Sequence, residues 1–256
     1  MKDALAYLIE GMLLMRQAPG LFLALITASA AIGYYSPGGF GWIALGISYS
    51  ILYYYWGMRL TAQVLSGQAS RPLAFLQVDL QALVASVFYP FLAMLWGMLV
   101  SMPVWLIGSI VIASVLGSQV SIENEAAMAE AMRSPRQIAI FLVILLVTFV
   151  IYLKYLSNRI TVPIVMVIWG ADMRAADSHA GPASKRRFTT IIWIFALPII
   201  PSWGLTFAVF NAFPDAGSVL LLLDFVAAFC AILPIVATTA YVYREIGPPR
   251  TSSAGT

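Results

Sequence analysis

Long apolar runs separated by short polar breaks organise this chain, and each run is read against the roughly 20 residues that a helix needs to cross a bilayer. The first segment is different in kind. In residues 3–17 the polar members Asp3, Glu10 and Gln17 recur every seven residues, a single stripe on a helix whose remaining surface is oily, with Leu5, Leu8, Ile9, Met12 and Leu13. Residues 1–19 therefore read as an interfacial amphipathic helix lying on the membrane surface, with Pro19 suited to the first turn of the helix that follows.

The crossings come next. A first span is expected over 20–35, ending at the turn Ser36-Pro37-Gly38-Gly39, and a second over 41–58, with Tyr53, Tyr54, Tyr55 and Trp56 near its far end. Residues 59–82 carry Arg59, Gln63, Gln68, Arg71 and Asp79 and read as a polar loop with a short interfacial helix. Residues 83–117 are 35 residues without a charge. As one helix they would extend about 52 Å, longer than a bilayer needs, so either one overlong helix kinked at Pro90 and Pro103 or a hairpin of two short spans would serve. Further spans are expected from Ile138 to about Lys154, over 190–210 with bends at Pro198 and Pro201, and over 218–243. Residues 160–170 are apolar but too short to cross, and are placed along the interface.

Loop charge chooses between the two readings of 83–117. The loop 118–137 holds Glu123, Glu125 and Glu130 against Arg133 and Arg136, whereas 171–187 holds Arg174, Lys185, Arg186 and Arg187. One crossing puts the acidic loop outside and the basic loop inside, and leaves 12 of the 14 Lys and Arg residues in the cytoplasm; a hairpin reverses both loops, against the positive-inside rule. The expected fold class is thus all-α, a polytopic membrane helix bundle of about six transmembrane helices. Its expected divisions are the interfacial helix 1–19, the transmembrane domain 20–246 and a flexible Pro/Ser/Gly tail 247–256. The expected location is a bacterial inner membrane, with both termini cytoplasmic.

Composition agrees with that frame: 61% of residues are apolar and 10% charged, against roughly a quarter charged in soluble domains. The net charge of +3 reports topology and attraction to anionic lipid headgroups rather than nucleic acid. Ala28-Ser29-Ala30 imitates a signal-peptide cleavage site, but residues 1–19 are too long and too acidic for a leader, so the first span is expected to stay uncleaved. Cys230 is the only cysteine, which excludes a disulfide within the chain.

Few residues offer chemistry. Asp224 lies in the leucine-rich run 220–226, where a carboxylate is costly unless paired, protonated or wetted. It could be an ion or proton site, a docking point for a partner helix, or an acid satisfied by the hydroxyls of Ser48, Tyr49 or Ser109. Lys154, Asn158 and Arg159 share little more than one helical turn and could cradle an anionic lipid headgroup, or could simply snorkel to the surface. Lys185, Arg186 and Arg187 are candidate lipid contacts or a topology anchor. His179, the sole histidine, beside Asp177, is far short of a metal site, and no phosphate loop, nucleophile elbow or zinc motif occurs. No cofactor is expected. Small residues four apart at Ser29/Gly33, Gly46/Ser50, Gly97/Ser101 and Ala227/Ala231 suit close helix packing. The aromatic exits Tyr55-Trp56-Gly57-Met58-Arg59 and Tyr241-Val242-Tyr243-Arg244 echo each other as a possible internal repeat.

Four stretches, Arg16-Gln17-Ala18-Pro19-Gly20, Leu156 to Pro163, Lys185-Arg186-Arg187-Phe188 and Ala240 to Arg244, resemble six-helix bacterial inner-membrane proteins that include the membrane-anchor domain of glycerophosphodiester phosphodiesterases. That resemblance implies a whole-chain membrane domain without the phosphodiesterase, hence no enzyme. In length, interfacial N-terminal helix and crossing number the chain is also similar to permease subunits of two-component ABC exporters, which would make 59–82 a coupling helix for a separate ATPase. The expected function is a non-enzymatic accessory or scaffold subunit of a membrane complex, or a membrane-homeostasis protein; the alternative is the exporter permease, with an Asp224-dependent carrier behind it.

Overall fold

A computed structural model describes residues 1–34, 41–67, 78–116, 143, 147, 161–169, 185–212 and 217–245. Among these residues every regular element is helical and there is no strand. The chain divides into two compact units, residues 1–91 with 157–256 and residues 92–156.

In the larger unit, α1 (Lys2–Gln17) carries Asp3 in its first turn and Arg16 in its last, both favourable to the helix dipole. It stops at Ala18 (φ −136, ψ 59), and α2 (Pro19–Tyr34) begins on the proline. Proline has no N–H to lose at that position and its fixed φ suits the first turn. The two axes meet at 106°.

The second apolar run is a rod made of three parts, α3 (Gly41–Ser50), a π-helical segment (Ile51–Gly57) and α4 (Met58–Leu65). Helical dihedrals continue through both junctions, at Ser50 (φ −61, ψ −45) and at Gly57 and Met58 (φ −63, ψ −47; φ −69, ψ −40). Of the expected loop with a short interfacial helix at 59–82, residues 68–77 lie outside the described residues, and the short helix is packed inside the protein: Arg59 and Gln63 ride on a helix whose Met58, Leu60, Thr61, Ala62 and Val64 are buried. Two polar side chains four apart fall on one side of that helix and leave the rest of its surface apolar. The rod ends at Gly67, whose φ of +72 only glycine adopts without strain, and its N–H bonds to the Val64 carbonyl at 3.1 Å.

Asp79, the last charged residue of the expected loop, is an N-cap. Its Oδ1 accepts from the N–H groups of Gln81 at 3.0 Å and Ala82 at 3.2 Å, and opens α5 (Leu80–Leu116). At 37 residues α5 is one continuous helix, about 55 Å long. The hairpin alternative for 83–117 is thereby excluded over the described residues. The boundary between the two units falls inside α5. In the second unit, residues 92–116 of α5 expose Leu95, Trp96, Leu99, Met102, Leu106 and Ile107, and Val143 and Val147 are exposed helical positions. The acidic loop 118–137 and the remainder of the expected fourth span lie outside the described residues.

Residues 160–170 differ from expectation. They form α6 (Thr161–Ile168), in which Thr161, Val162, Pro163, Ile164, Val165, Met166 and Val167 are all buried, packed against α4, the π segment and α8. An apolar stretch too short to cross has two ways to avoid water, the bilayer interface or the protein interior, and here it takes the second. The final two helices are α7 (Lys185–Ala212), with Pro198 and Pro201 inside it, and α8 (Gly217–Glu245), with Pro234 inside it.

The larger unit is organised around α8, which touches α1, α2, α4, the π segment, α6 and α7. Its lower half is buried on every side: Ile232, Leu233, Ile235, Val236, Ala237, Thr238, Thr239, Ala240, Tyr241 and Val242. Where the surrounding solvent is lipid there is no hydrophobic gain in bringing apolar helices together, so close packing must hold them. The contact between α1 and α8 has that character. A Cβ on Gly11 would stand 3.3 Å from the Ala237 backbone N and from Leu233 Cδ1.

Candidate functional site

Across one end of the bundle, α1 crosses the last turns of α8 and the first turns of α7. There Asp3, Ala6, Tyr7, Glu10, Thr190, Tyr241, Arg244 and Glu245 line a cavity of about 360 Å³. The seven-residue spacing that made Asp3 and Glu10 one stripe in the sequence also puts both acids on this cavity.

Two polar contacts tie α1 to α8 across it. Arg244 donates from Nε and Nη2 to Glu10 Oε1, at 3.1 and 3.0 Å, and Tyr7 donates its hydroxyl to Glu245 Oε1 at 3.1 Å. The Tyr7 and Tyr241 rings meet edge to face, centroids 5.0 Å apart. Burial, with the hydrogen bond to Glu245 second and the nearby negative charges after it, pushes the Tyr7 hydroxyl up to about 12. It therefore stays a proton donor at any physiological pH. Three carboxylates face one guanidinium, so the lining leans negative. The site offers positioning and charge. Among the described residues no group of three or more His, Cys, Asp or Glu could hold a metal.

Asp224, the acid singled out by sequence, is elsewhere, near the other end of α8 and half-buried. Of its expected partners, the Ser109 side chain lies outside the described residues and the other two make different hydrogen bonds. Ser48 donates to the Ala44 carbonyl at 2.8 Å on its own helix, and Tyr49 donates to the Ser29 carbonyl at 3.4 Å. Tyr49 remains within electrostatic reach of Asp224, and no described residue hydrogen-bonds to that carboxylate. Ser29 and Tyr53 are themselves joined hydroxyl to hydroxyl, and Tyr49 stacks on Tyr53 at 5.4 Å. The Ser48 and Tyr49 hydroxyls thus donate to backbone carbonyls of α3 and α2.

Lys185, Arg186 and Arg187 form the first turn of α7, one turn before Thr190 at the cavity, rather than a loop ahead of the helix. Lys154, Asn158, Arg159 and His179 lie outside the described residues. The sequence placed Tyr55 among the aromatic residues at the end of a span and did not reveal the role it plays in packing. It is fully buried, and its hydroxyl accepts from Arg59 and, at 2.9 Å, from the Asp79 N–H, which joins the π segment to the start of α5. The Tyr-to-Arg spacing of four was the available signal.

Among the described residues every element is helical, and Thr189–Thr206 and Leu221–Glu245 are long and apolar enough to cross a membrane, as is the bent pair α1–α2 if it is one span. No protein family matches the chain, and neither a curated protein nor a solved structure is similar to it.

Proposed function

We propose that the chain is a non-enzymatic integral membrane protein serving as an accessory or scaffold subunit of a larger membrane complex. The observation that carries this reading is how little of its apolar surface the chain covers by itself. Only 33% of the residues in the candidate span Thr189–Thr206 are buried, and Trp193, Ile200, Trp203 and Leu205 stand exposed along α7. About six crossings, an inner-membrane location and cytoplasmic termini complete the proposal, on the strength of loop charge and of α5 running as one helix. The resemblance to membrane-anchor domains that work without a catalytic site points the same way.

The exporter-permease alternative needs 59–82 as an exposed coupling helix. Burial of Leu60, Thr61, Ala62 and Val64 takes up the beginning of that stretch and favours the scaffold reading. Extraction into native nanodiscs followed by mass measurement of the intact particles tests the proposal. Stoichiometric particles containing a second membrane protein are expected, whereas a population made only of monomers would overturn the subunit role.

A further inference from the structure

Helix α1 divides its surface three ways. Ala4, Leu8, Gly11, Leu14 and Met15 are buried, and Gly11 and its neighbours meet α8. Asp3 and Glu10 turn to the cavity, where Arg244 holds Glu10. What is left is an outward face with Leu5 54% exposed, Ile9 46%, Met12 42% and Leu13 51%, and on that face both cations of the helix, Lys2 and Arg16, are exposed too. Leu5, Ile9, Met12 and Arg16 follow one another at spacings of four, three and four, a single stripe, with Lys2 and Leu13 alongside.

We propose that this face of α1 is a docking surface for anionic lipid, with Leu5, Ile9, Met12 and Leu13 sunk among the acyl chains just below the headgroups and Lys2 and Arg16 reaching their phosphates. The inference rests on the membrane reading given above and is independent of the subunit role. Charge sorting selects the occupant. Their seven-residue spacing puts both acids of α1 on the cavity side, where Arg244 holds Glu10, so the outward face keeps only positive charge, and long basic side chains extend along apolar surface while their ends stay in the headgroup layer. The 106° bend at Ala18 supplies the geometry. With α2 pointed into the bilayer, α1 lies across its mouth, and its seat on α8 prevents it from rolling. The residues concerned are distinct from Lys154, Asn158, Arg159 and Lys185–Arg187, which the sequence nominated for such contacts.

A full-length Cys230→Ser chain with a single spin label at Ile9→Cys, and a control label at Ser66→Cys in the exposed turn after α4, tests this directly. The chain is placed in nanodiscs of phosphatidylcholine alone or of equal parts phosphatidylcholine and phosphatidylglycerol. The Ile9 label is expected to be reached by oxygen and shielded from a water-soluble nickel chelate, more so in the anionic discs, while the Ser66 label is reached by the chelate in both. Replacing Lys2 and Arg16 by Gln should erase the difference between the two lipids. Each basic residue near an anionic surface is worth about fivefold in partitioning, so phosphatidylglycerol retained on extraction should fall by fivefold or more in the double variant. A chelate-accessible Ile9 label would overturn the proposal. So would a label shielded from both reagents, which signals a protein partner on this face, or lipid retention that does not change. A monomeric particle would defeat the subunit reading and leave these outcomes as they are.

Discussion

Gly11→Ala isolates the packing that seats α1. In an isolated helix this change stabilises by about 1 kcal/mol, because alanine loses less backbone freedom than glycine. At Gly11 the added methyl would stand 3.3 Å from the Ala237 N, 3.3 Å from Leu233 Cδ1 and 3.4 Å from the Ala237 Cα. The leucine methyl can rotate away; the α8 backbone cannot move without carrying its other neighbours. Overpacking of this kind costs about 1–3 kcal/mol, so the net change should be a loss of up to about 2 kcal/mol. Gly46, in α3, has nothing within 4 Å of the same added atom. Gly46→Ala should therefore gain about 0.5–1 kcal/mol. Reversible unfolding in mixed micelles of a mild detergent and dodecyl sulfate gives both values in one series. Hydrogen exchange of the α1 amides then reports whether the loss at Gly11 is α1 lifting from α8. Equal shifts of the same sign at the two glycines would refute a close approach between these helices.

Three other outcomes follow from the same contacts. Tyr7 loses its proton near 12 in the folded chain against 10 when unfolded. The folded state then binds more protons between those values, and the contribution is complete below pH 10 and is lost as pH rises towards 12. Tyr7→Phe should flatten the stability profile in that window, and an unchanged profile would count against the Glu245 contact. Glu10 and Arg244 are 27% and 58% exposed, so a double-mutant cycle with Gln at each should return a coupling of only about 0.2–1 kcal/mol; a value well above this would mean the pair is far less solvated than the geometry indicates. Ile164→Ala in α6 should cost about 2–5 kcal/mol as a buried truncation, against under about 0.5 kcal/mol for Leu222→Ala at a residue 65% exposed. Similar small values at both sites would place α6 against lipid.

What could be read from the sequence, and what could not, divides along physical lines. The break between α1 and α2 is legible because proline restricts its own φ and lacks an N–H, both of them local properties. The continuity of α5 is legible for a different reason, since loop charge constrains how many times the chain can cross. Burial of α6 is not legible, because Val162, Ile164 and Met166 look the same whether their neighbours are acyl chains or helices. The same blindness applies to the cavity. Glu10 and Arg244 are 234 residues apart, and no periodicity connects them. For Asp224, depth along a helix suggested Ser48, Tyr49 and Ser109 as partners; a hydroxyl has one proton to donate, and those of Ser48 and Tyr49 go to backbone carbonyls that no periodicity points to.

Seven consecutive residues in π geometry, Ile51–Gly57, store more chain than an α-helix would use over the same rise. Removing one of them would let the α pattern close through the segment while the helices on either side keep their facing, because the wider π turns already hold the surplus residue. A deletion at Ile51 or Leu52 should therefore leave Arg59 on Tyr55 and Tyr55 over the Asp79 N–H at the start of α5. The same deletion in the plain α-helix α2, where no residue is stored, would turn everything beyond it by about 100°.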